Sequence, residues 1–282
     1  MQRSEPFLRA VQRLKEALPT LRKRLAEHVA VEVEGNPAFR AAHAACFEVL
    51  AHHFREEYRR PDRFGLFRGL ASLEPEFTEE QLTTFLIQHF LLEPLLTWMF
   101  PDVLAANTIA QQVEKAMSVL GNRDWLRIAV DGFFSLIERE LRDAHSGAER
   151  QHVFNTVCEA FLNGFDPDRA EEMGVKYTPP EIVDFMCASV EQQVKHTYGC
   201  SLSATGVPIL DPCTGTGSFL VNVIGRIDLT DLPYKYAHEL FGVEIMLLPY
   251  YLATLNVEQA FFERCGFYLP FSGMRYADAL LA

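Results

Sequence analysis

The chain has 282 residues, of which 49% are hydrophobic, and it carries a formal net charge of −12. This length predicts about two domains of roughly 150 residues each, and the apolar fraction excludes a disordered chain. The six cysteines form no C-x-x-C pair, so we expect neither a disulfide scaffold nor a zinc ribbon. The N-terminus lacks the apolar segment of a secretory signal. We therefore expect a cytoplasmic protein, and its acidic balance argues against a free-standing, non-specific nucleic-acid binder.

The first 175 residues predict an all-α helical domain. Apolar residues recur at spacings of three and four, for example over 7–18 and 125–136, which is the period of an amphipathic helix. Residues 85–100 form the most apolar stretch, but they are too few to span a membrane. We interpret this stretch as a buried helix that is broken near Pro94.

Charged and metal-ligating residues of this half give weaker signals. The first helix is locally basic, through Arg3, Arg9, Arg13, Lys15, Arg22, Lys23 and Arg24. We interpret these residues as a solvated face, with a contact to phosphate or to a partner protein as the alternative. His43, His52 and His53 have no cysteine or acid at metal-ligand spacing, so no metal site is predicted.

Residues 176–282 have a different pattern. Short apolar strands are predicted at 208–211, 240–245 and 273–277, and helices at 218–227 and 248–265 lie between them. Strands that alternate with helices are typical of a parallel sheet built from crossover connections. The sequence therefore predicts an α/β domain at 176–282 that follows a helical domain at 1–175.

The first strand ends in an acid and a tight glycine turn, Asp211-Pro-Cys-Thr-Gly-Thr-Gly217. Such a turn before a helix N-terminus binds a pyrophosphate or another ligand with an anionic group. The turn lacks the third glycine of a G-x-G-x-x-G fingerprint, and the chain has no G-x-x-x-x-G-K-[ST] loop. Asp211 would repel pyrophosphate but suits a ligand with an ammonium and a sulfonium group, such as S-adenosylmethionine. We interpret Cys213 as a packing residue.

Two further acids follow the next strands. Glu244 ends the second strand, where a carboxylate can accept both hydroxyls of a ribose. Asp278 follows the third strand and can accept the exocyclic amine of an adenine. Upstream, Thr178 is the predicted N-cap of a helix over 179–194, with Glu181 completing a capping box. Thr178 is either a cap alone or a contact to the amino-acid end of the ligand.

These strings resemble a known family. YTPPEIVDFM (177–186), DPCTGTGSFLV (211–221), GVEI (242–245) and DAL (278–280) are similar to the ordered motifs of adenine-specific, amino-methylating DNA methyltransferases. Residues 158–167 are similar to the segment before the methyltransferase module of large single-chain restriction-modification enzymes. The resemblance implies a Rossmann-like methyltransferase fold with a partial parallel sheet, and S-adenosylmethionine-dependent methylation of the adenine amine in restriction-modification or phage defence.

The motifs and the resemblance together give the candidate cofactor-binding residues. They are Tyr177, Thr178, Pro179, Asp211, Pro212, Thr214, Gly215, Thr216, Gly217, Ser218, Phe219, Glu244, Ile245, Asp278 and Ala279. The family's catalytic motif, Asn/Asp-Pro-Pro-aromatic, contacts the target amine and stacks on a flipped base. This motif does not occur in the 282 residues. We therefore expect no catalytic residue here and no activity from this chain alone.

The resemblance also implies partners. Double-stranded DNA would be bound through regions absent from this chain, beside a restriction, helicase or specificity module, and no membrane is involved. Two other readings remain open. One is a non-catalytic subunit that uses a vestigial cofactor fold to bind a partner, and the other is a methyltransferase that acts on RNA or protein.

Overall fold

In a computed structural model, the chain is described over residues 4–281, except 62, 68–76, 122–127, 129–133, 136, 140, 141 and 145. It forms two compact units. The first unit comprises Met1–Phe47, Glu79–Pro101 and Gln112–Tyr177, and the second comprises Glu48–Thr78, Asp102–Gln111 and Thr178–Ala282. The sequence placed residues 48–78 and 102–111 in the helical domain, whereas here they pack with 178–282. The division into domains at 1–175 and 176–282 stays a prediction.

Most of the described residues before residue 177 are helical. The helices are α1 (Glu5–Gly35), α2 (Pro37–Arg59), α3 (Glu79–Met99), α4 (Pro101–Ala106), α5 (Thr108–Ser118), α6 (Gly147–Phe165) and α7 (Pro167–Glu172). The Ser4 side chain caps α1 by accepting a hydrogen bond from the Phe7 N–H. α1 packs against α6, and a Cβ on Gly164 would lie 2.7 Å from the Lys15 carbonyl. The glycine therefore allows the two helices to approach closely.

The expected break at Pro94 is wrong, because α3 continues through this residue to Met99. A proline inside a helix costs about 3 kcal/mol through a lost hydrogen bond and a steric clash. Burial of the apolar side chains on both sides of Pro94, including Leu92 and Leu95, offsets this cost. Most of the predicted helical pattern at 125–136 lies outside the described residues. None of the described helices has the length and apolar character needed to span a membrane.

The second unit contains a small parallel sheet, as predicted. Its elements are α8 (Pro180–Tyr198), β1 (Ile209–Asp211), α9 (Ser218–Arg226), α10 (Leu232–His238), β2 (Leu240–Glu244), α11 (Leu247–Cys265), β3 (Met274–Tyr276) and a 3-10 turn at Ala279–Leu281. The strand order is β1-β2-β3. Ile209 lies opposite Leu240, and Gly242 lies opposite Met274. The carboxyl ends of all three strands therefore lie at one edge of the sheet.

A buried ion pair fixes the loop that leads into β1. Lys235 lies in α10, and Glu239 follows the helix one turn later. Their side chains are 0% and 1% exposed, and the Lys235 Nζ lies 2.7 Å from the Glu239 Oε2. The Lys235 Nζ also donates to the Ala204 carbonyl (3.1 Å). The Glu239 Oε1 accepts from the Gly206 N–H (2.7 Å). Both charges are thus paired and hydrogen-bonded, which a buried ion pair requires.

Candidate functional site

A tight turn joins β1 to α9 and contains the predicted glycine motif. Gly215 and Gly217 have φ angles of 55° and 85°, in the left-handed region that glycine adopts at no steric cost. The Thr214 N–H donates to the Val243 carbonyl (3.0 Å), and the Thr214 carbonyl accepts from the Gly217 N–H (2.8 Å). A Cβ on Gly217 would come within 3.2 Å of the Ala253 Cα in α11. The glycines therefore let the chain reverse against α11 where α9 begins.

Asp211, at the end of β1, has one oxygen without a partner. Its Oδ1 accepts a hydrogen bond from the Cys213 N–H (3.2 Å), whereas its buried Oδ2 has no hydrogen-bond partner among the described residues. Burial raises the pKa of the Asp211 carboxyl, and the Cys213 N–H opposes this effect. Because buried polar atoms are nearly always hydrogen-bonded, the unpartnered oxygen suits a cation or a hydrogen-bond donor of a ligand.

Glu244, at the end of β2, is held by the backbone. Its Oε2 accepts from the Gly215 N–H (2.8 Å) and its Oε1 from the Met246 N–H (2.8 Å). Burial raises the pKa of the Glu244 carboxyl, hydrogen bonds from three backbone N–H groups lower it, and the charge of Asp211 raises it. A carboxylate has about four lone-pair sites, so three backbone contacts leave capacity for a hydroxyl of a ligand.

The third carboxylate, Asp278, follows β3, and its Oδ1 accepts from the Leu280 N–H (2.8 Å). The three carboxylates lie at the same edge of the sheet, because β1, β2 and β3 are parallel, and the exposed thiol of Cys213 lies in the turn after β1. Burial raises the pKa of this thiol, and the negative charges of Asp211, Glu244 and Asp278 raise it further. The interpretation of Cys213 as a packing residue is wrong, because the residue is exposed in the turn. The three predicted acids thus lie at the carboxyl edge of the sheet, and Glu244 contacts the glycine turn through the Gly215 N–H.

The predicted capping box at α8 is also wrong. The N-cap is Pro179, which makes no side-chain cap hydrogen bond, and the helix begins at Pro180 instead of Pro179. A residue before proline is disfavoured in the helical conformation, so Pro179 stays extended (φ −54°, ψ 141°). Thr178 is therefore not the N-cap, and it lies in the second unit at the entrance to α8. Tyr177 is the last residue of the first unit.

The remaining predicted residues lie close in sequence to the strand ends. Pro212 is exposed in the glycine turn, Ser218 and Phe219 begin α9, Ile245 follows β2 and Ala279 begins the 3-10 turn. In the described part of the chain, no group of three or more His, Cys, Asp or Glu side chains could hold a metal ion.

Sequence reasoning missed two residues that support the turn. A Cβ on Gly242 in β2 would lie 2.6 Å from both the Thr214 Oγ1 and the Met274 Sδ. A glycine inside an apolar strand signals such close approach and could have indicated this role. The buried Asn256 Nδ2 of α11 donates to the Thr216 carbonyl (2.9 Å). The position of a polar residue in a mostly apolar helix could have indicated that Asn256 makes a buried hydrogen bond.

The fold and this site define a class of protein. A parallel sheet with a glycine turn after its first strand, and with acids at successive strand ends, is typical of α/β domains that bind nucleotide-like ligands at the carboxyl edge. Residues 149–259 match the sequence model of the N-6 DNA Methylase family. The resemblance predicted from the motifs is confirmed: residues 149–259 are similar to N-6 DNA methylases, and nearly the whole chain has the fold of a part of three large DNA-bound proteins.

Three solved structures are similar to nearly the whole chain. The DrdV–DNA complex, solved by cryo-EM, is 28% identical over 98% of this chain and 26% of its own, with a TM-score of 0.71. A nuclease-deletion mutant of the Type ISP restriction-modification enzyme LlaGI, in complex with a DNA substrate mimic, is 23% identical over 94% of this chain and 21% of its own, with a TM-score of 0.56.

The ATP-dependent Type ISP restriction-modification enzyme LlaBIII, bound to DNA, is 23% identical over 94% of this chain and 17% of its own, with a TM-score of 0.60. At these identities LlaGI and LlaBIII show the fold alone. The chain spans 17–26% of the length of the three matched chains. No curated protein sequence matches it significantly.

Proposed function

We propose that this chain is the cofactor-binding part of a DNA adenine methyltransferase that uses S-adenosylmethionine within a restriction-modification system. The observation that carries the proposal is the buried Asp211 Oδ2, which has no described partner and lies at the sheet edge where Asp211, Glu244 and Asp278 follow successive parallel strands. The match of residues 149–259 to the N-6 DNA Methylase family supports it. The sheet would then be the first part of a Rossmann-like methyltransferase fold.

The chemistry of the site fits this cofactor. S-adenosylmethionine carries an ammonium and a sulfonium charge, and the three acids provide negative charge for both. Asp211 and the amides of the glycine turn, with Thr178, would hold the methionine part. Glu244 would accept the ribose hydroxyls, and Asp278 with Ala279 would bind the adenine. When bound, the cofactor supplies the methyl group that is transferred to the exocyclic amine.

The residues of this chain would bind and orient the cofactor rather than react. We found no Asn/Asp-Pro-Pro-aromatic sequence in the 282 residues, and we therefore assign no catalytic residue. Double-stranded DNA would contact other parts of the enzyme as well. The matched chains are about four times as long or longer. We therefore propose a restriction, helicase or specificity module as a partner. We also propose that the enzyme acts in the cytoplasm.

Calorimetry with S-adenosylmethionine tests the cofactor site. Asp211→Asn and Glu244→Gln remove one charge each at nearly constant volume. We expect affinity to fall at least about tenfold in each variant, since hydrogen bonds to charged groups contribute roughly 1.5–3 kcal/mol. Asp231→Asn is the matched control, because Asp231 is exposed and its side chain makes no cap hydrogen bond. Equal affinities in all four proteins, or no binding by the unaltered chain, would contradict the proposal and favour a non-catalytic binding subunit.

Cys213 gives an independent readout without substitution of an acid. It is the exposed cysteine, whereas the other five are buried or half-buried, so a maleimide reaches it most readily, although its raised pKa lowers the thiolate fraction. We expect saturating S-adenosylmethionine to slow this labelling, and Cys213→Ser to abolish the fast phase. An unchanged labelling rate at saturating ligand would place the ligand elsewhere.

The acceptor is tested with the full-length gene product and labelled S-adenosylmethionine. We expect the label in adenine of unmethylated duplex DNA. Label in RNA or protein instead would retain the cofactor site and overturn the assignment to DNA.

A further inference from the structure

A hydrogen bond joins the buried Asn256 of α11 to the glycine turn. Asn256 is 4% exposed, and its Nδ2 donates to the Thr216 carbonyl (2.9 Å) across 40 residues of sequence. The turn also packs on α11, because a Cβ on Gly217 would lie 3.2 Å from the Ala253 Cα and 3.3 Å from the Val257 Cγ2. Residues 253, 256 and 257 share one face of a helix. This face of α11 is therefore the support on which the turn rests.

Asn256 and one other group hold a single peptide group of the turn. The Thr216 carbonyl and the Gly217 N–H belong to the same planar peptide group. Asn256 donates to the carbonyl, and the N–H donates to the Thr214 carbonyl (2.8 Å). Both ends of the peptide group are therefore hydrogen-bonded, and one of the two partners is a side chain from outside the turn.

The glycines of the turn do not fix this orientation by themselves. Gly215 and Gly217 have φ angles of 55° and 85°, but glycine adopts negative φ angles about as readily. Rotation of the peptide group would turn the Thr216 carbonyl away from α11 and would redirect the neighbouring N–H groups. Such a rotation breaks the buried hydrogen bond to Asn256, which is costly because the buried amide then loses its acceptor. Asn256 therefore selects one of the conformations that the glycines allow.

We propose that Asn256 is a positioning residue of the cofactor site, an inference that rests on the proposed function. By holding the Thr216 carbonyl against α11, Asn256 keeps the N–H groups of the turn directed at the methionine part of S-adenosylmethionine. Glu244, the carboxylate proposed for the ribose, depends less on this bond, because the N–H groups of Ile245 and Met246 also hold it. Loss of the Asn256 amide should therefore weaken binding of the methionine part and preserve binding of the adenosine part.

Calorimetry with two ligands separates these parts. S-adenosylmethionine contains both, whereas methylthioadenosine lacks the amino-acid group and the sulfonium charge. The test variant Asn256→Leu keeps the branched shape of the side chain and removes the donor. We expect it to weaken binding of S-adenosylmethionine about tenfold and binding of methylthioadenosine less than about twofold. Asn256→Ala, which also removes the donor but adds no apolar volume, should give the same difference between the ligands.

Thr254→Val is the matched control. Thr254 is buried in the same helix, but its Oγ1 donates to the Tyr250 carbonyl within α11 and not to the turn. We expect Thr254→Val to bind both ligands as the unaltered chain does. Thermal unfolding of each variant shows whether it is folded at the temperature of the titration.

Equal losses for the two ligands in the Asn256 variants, or an equal loss in Thr254→Val, would show that Asn256 only stabilises the fold and would overturn the proposal. Asn256 variants that do not fold, or that bind S-adenosylmethionine normally, would overturn it too. If the unaltered chain bound S-adenosylmethionine but not methylthioadenosine, the division of the site into two parts would be refuted. If the unaltered chain did not bind S-adenosylmethionine, the proposed function itself would be refuted.

Discussion

Glu258 is a buried carboxyl whose substitution should change how the stability of the chain depends on pH. It lies on α11 with 2% of its surface exposed. Its Oε2 accepts from the Asn107 Nδ2 (2.9 Å) and the Tyr268 hydroxyl (3.3 Å), and its Oε1 accepts from the Phe271 N–H (3.0 Å). Burial raises the pKa of Glu258 to about 7, although these hydrogen bonds oppose it. Glu258→Gln keeps the size of the side chain and removes its titration.

The sign and size of the effect follow from the two pKa values. In the unfolded chain the Glu258 carboxyl loses its proton near 4.5, its ordinary value, whereas in the folded chain it keeps the proton until about 7. Between these values the folded state binds more protons, so the free energy of unfolding falls as pH rises. At about 1.4 kcal/mol for each pH unit, the loss by pH 8 is about 3 kcal/mol. Below the pKa of Glu258 in the unfolded chain, this loss of stability is absent.

Urea unfolding followed by circular dichroism at pH 4.5, 6, 7 and 8 measures this effect. The other titratable groups cancel in the difference between the unaltered chain and Glu258→Gln. We expect the variant to gain about 3 kcal/mol relative to the unaltered chain between pH 4.5 and 8. A difference that stays constant within about 0.5 kcal/mol over this range would refute the reasoning, because Glu258 would then titrate alike in both states.

Two further substitutions test how the fold supports the site. Gly242→Ala should lower the free energy of unfolding by about 1–3 kcal/mol, because its Cβ would lie 2.6 Å from two heavy atoms. Gly225→Ala in α9 is the control: no atom lies within 4 Å of the added Cβ, so it should be neutral or stabilising. Thermal unfolding of both variants measures the difference. Lys235→Met should destabilise the chain by about 3–5 kcal/mol, because it leaves Glu239 buried without its cation. Lys235→Met with Glu239→Leu should recover part of this loss, and equal losses in the single and double variants would contradict the argument.

Local sequence signals predicted the sheet and the glycine turn well. The apolar runs that end in Asp211 and Glu244 are bounded by turn residues and separated by helices, which is enough to indicate parallel strands. The positive φ angles at Gly215 and Gly217 also follow from local chemistry. Two predictions about helices were wrong, because the local signal used for each was outweighed by a second effect. Burial of neighbouring apolar side chains lets α3 continue through Pro94. Pro180 disfavours the helical conformation at Pro179, so α8 begins at Pro180.

Contacts between distant residues could not be predicted in this way. The Tyr250 hydroxyl donates to the Glu57 Oε1 over 2.5 Å, across a separation of 193 residues. Asn107 and Glu258 are joined across 151 residues. Periodicity reports which side of a helix is buried but not which distant element covers it. The sequence pattern therefore assigns residues 48–78 and 102–111 to the helical domain, although they belong to the second unit.

Glu244 has a consequence for the energetics of ligand binding. Because Gly215 and Met246 hold both of its oxygens, its rotamer is fixed before any ligand arrives, and a ligand need not order this side chain on binding. The conformational entropy of the Glu244 side chain is then lost during folding and not during ligand binding. Burial raises the pKa of Glu244, and the charge of Asp211 raises it further. A cationic ligand at this edge would favour the charged form of Glu244, so binding of such a ligand would be linked to loss of a proton from this carboxyl.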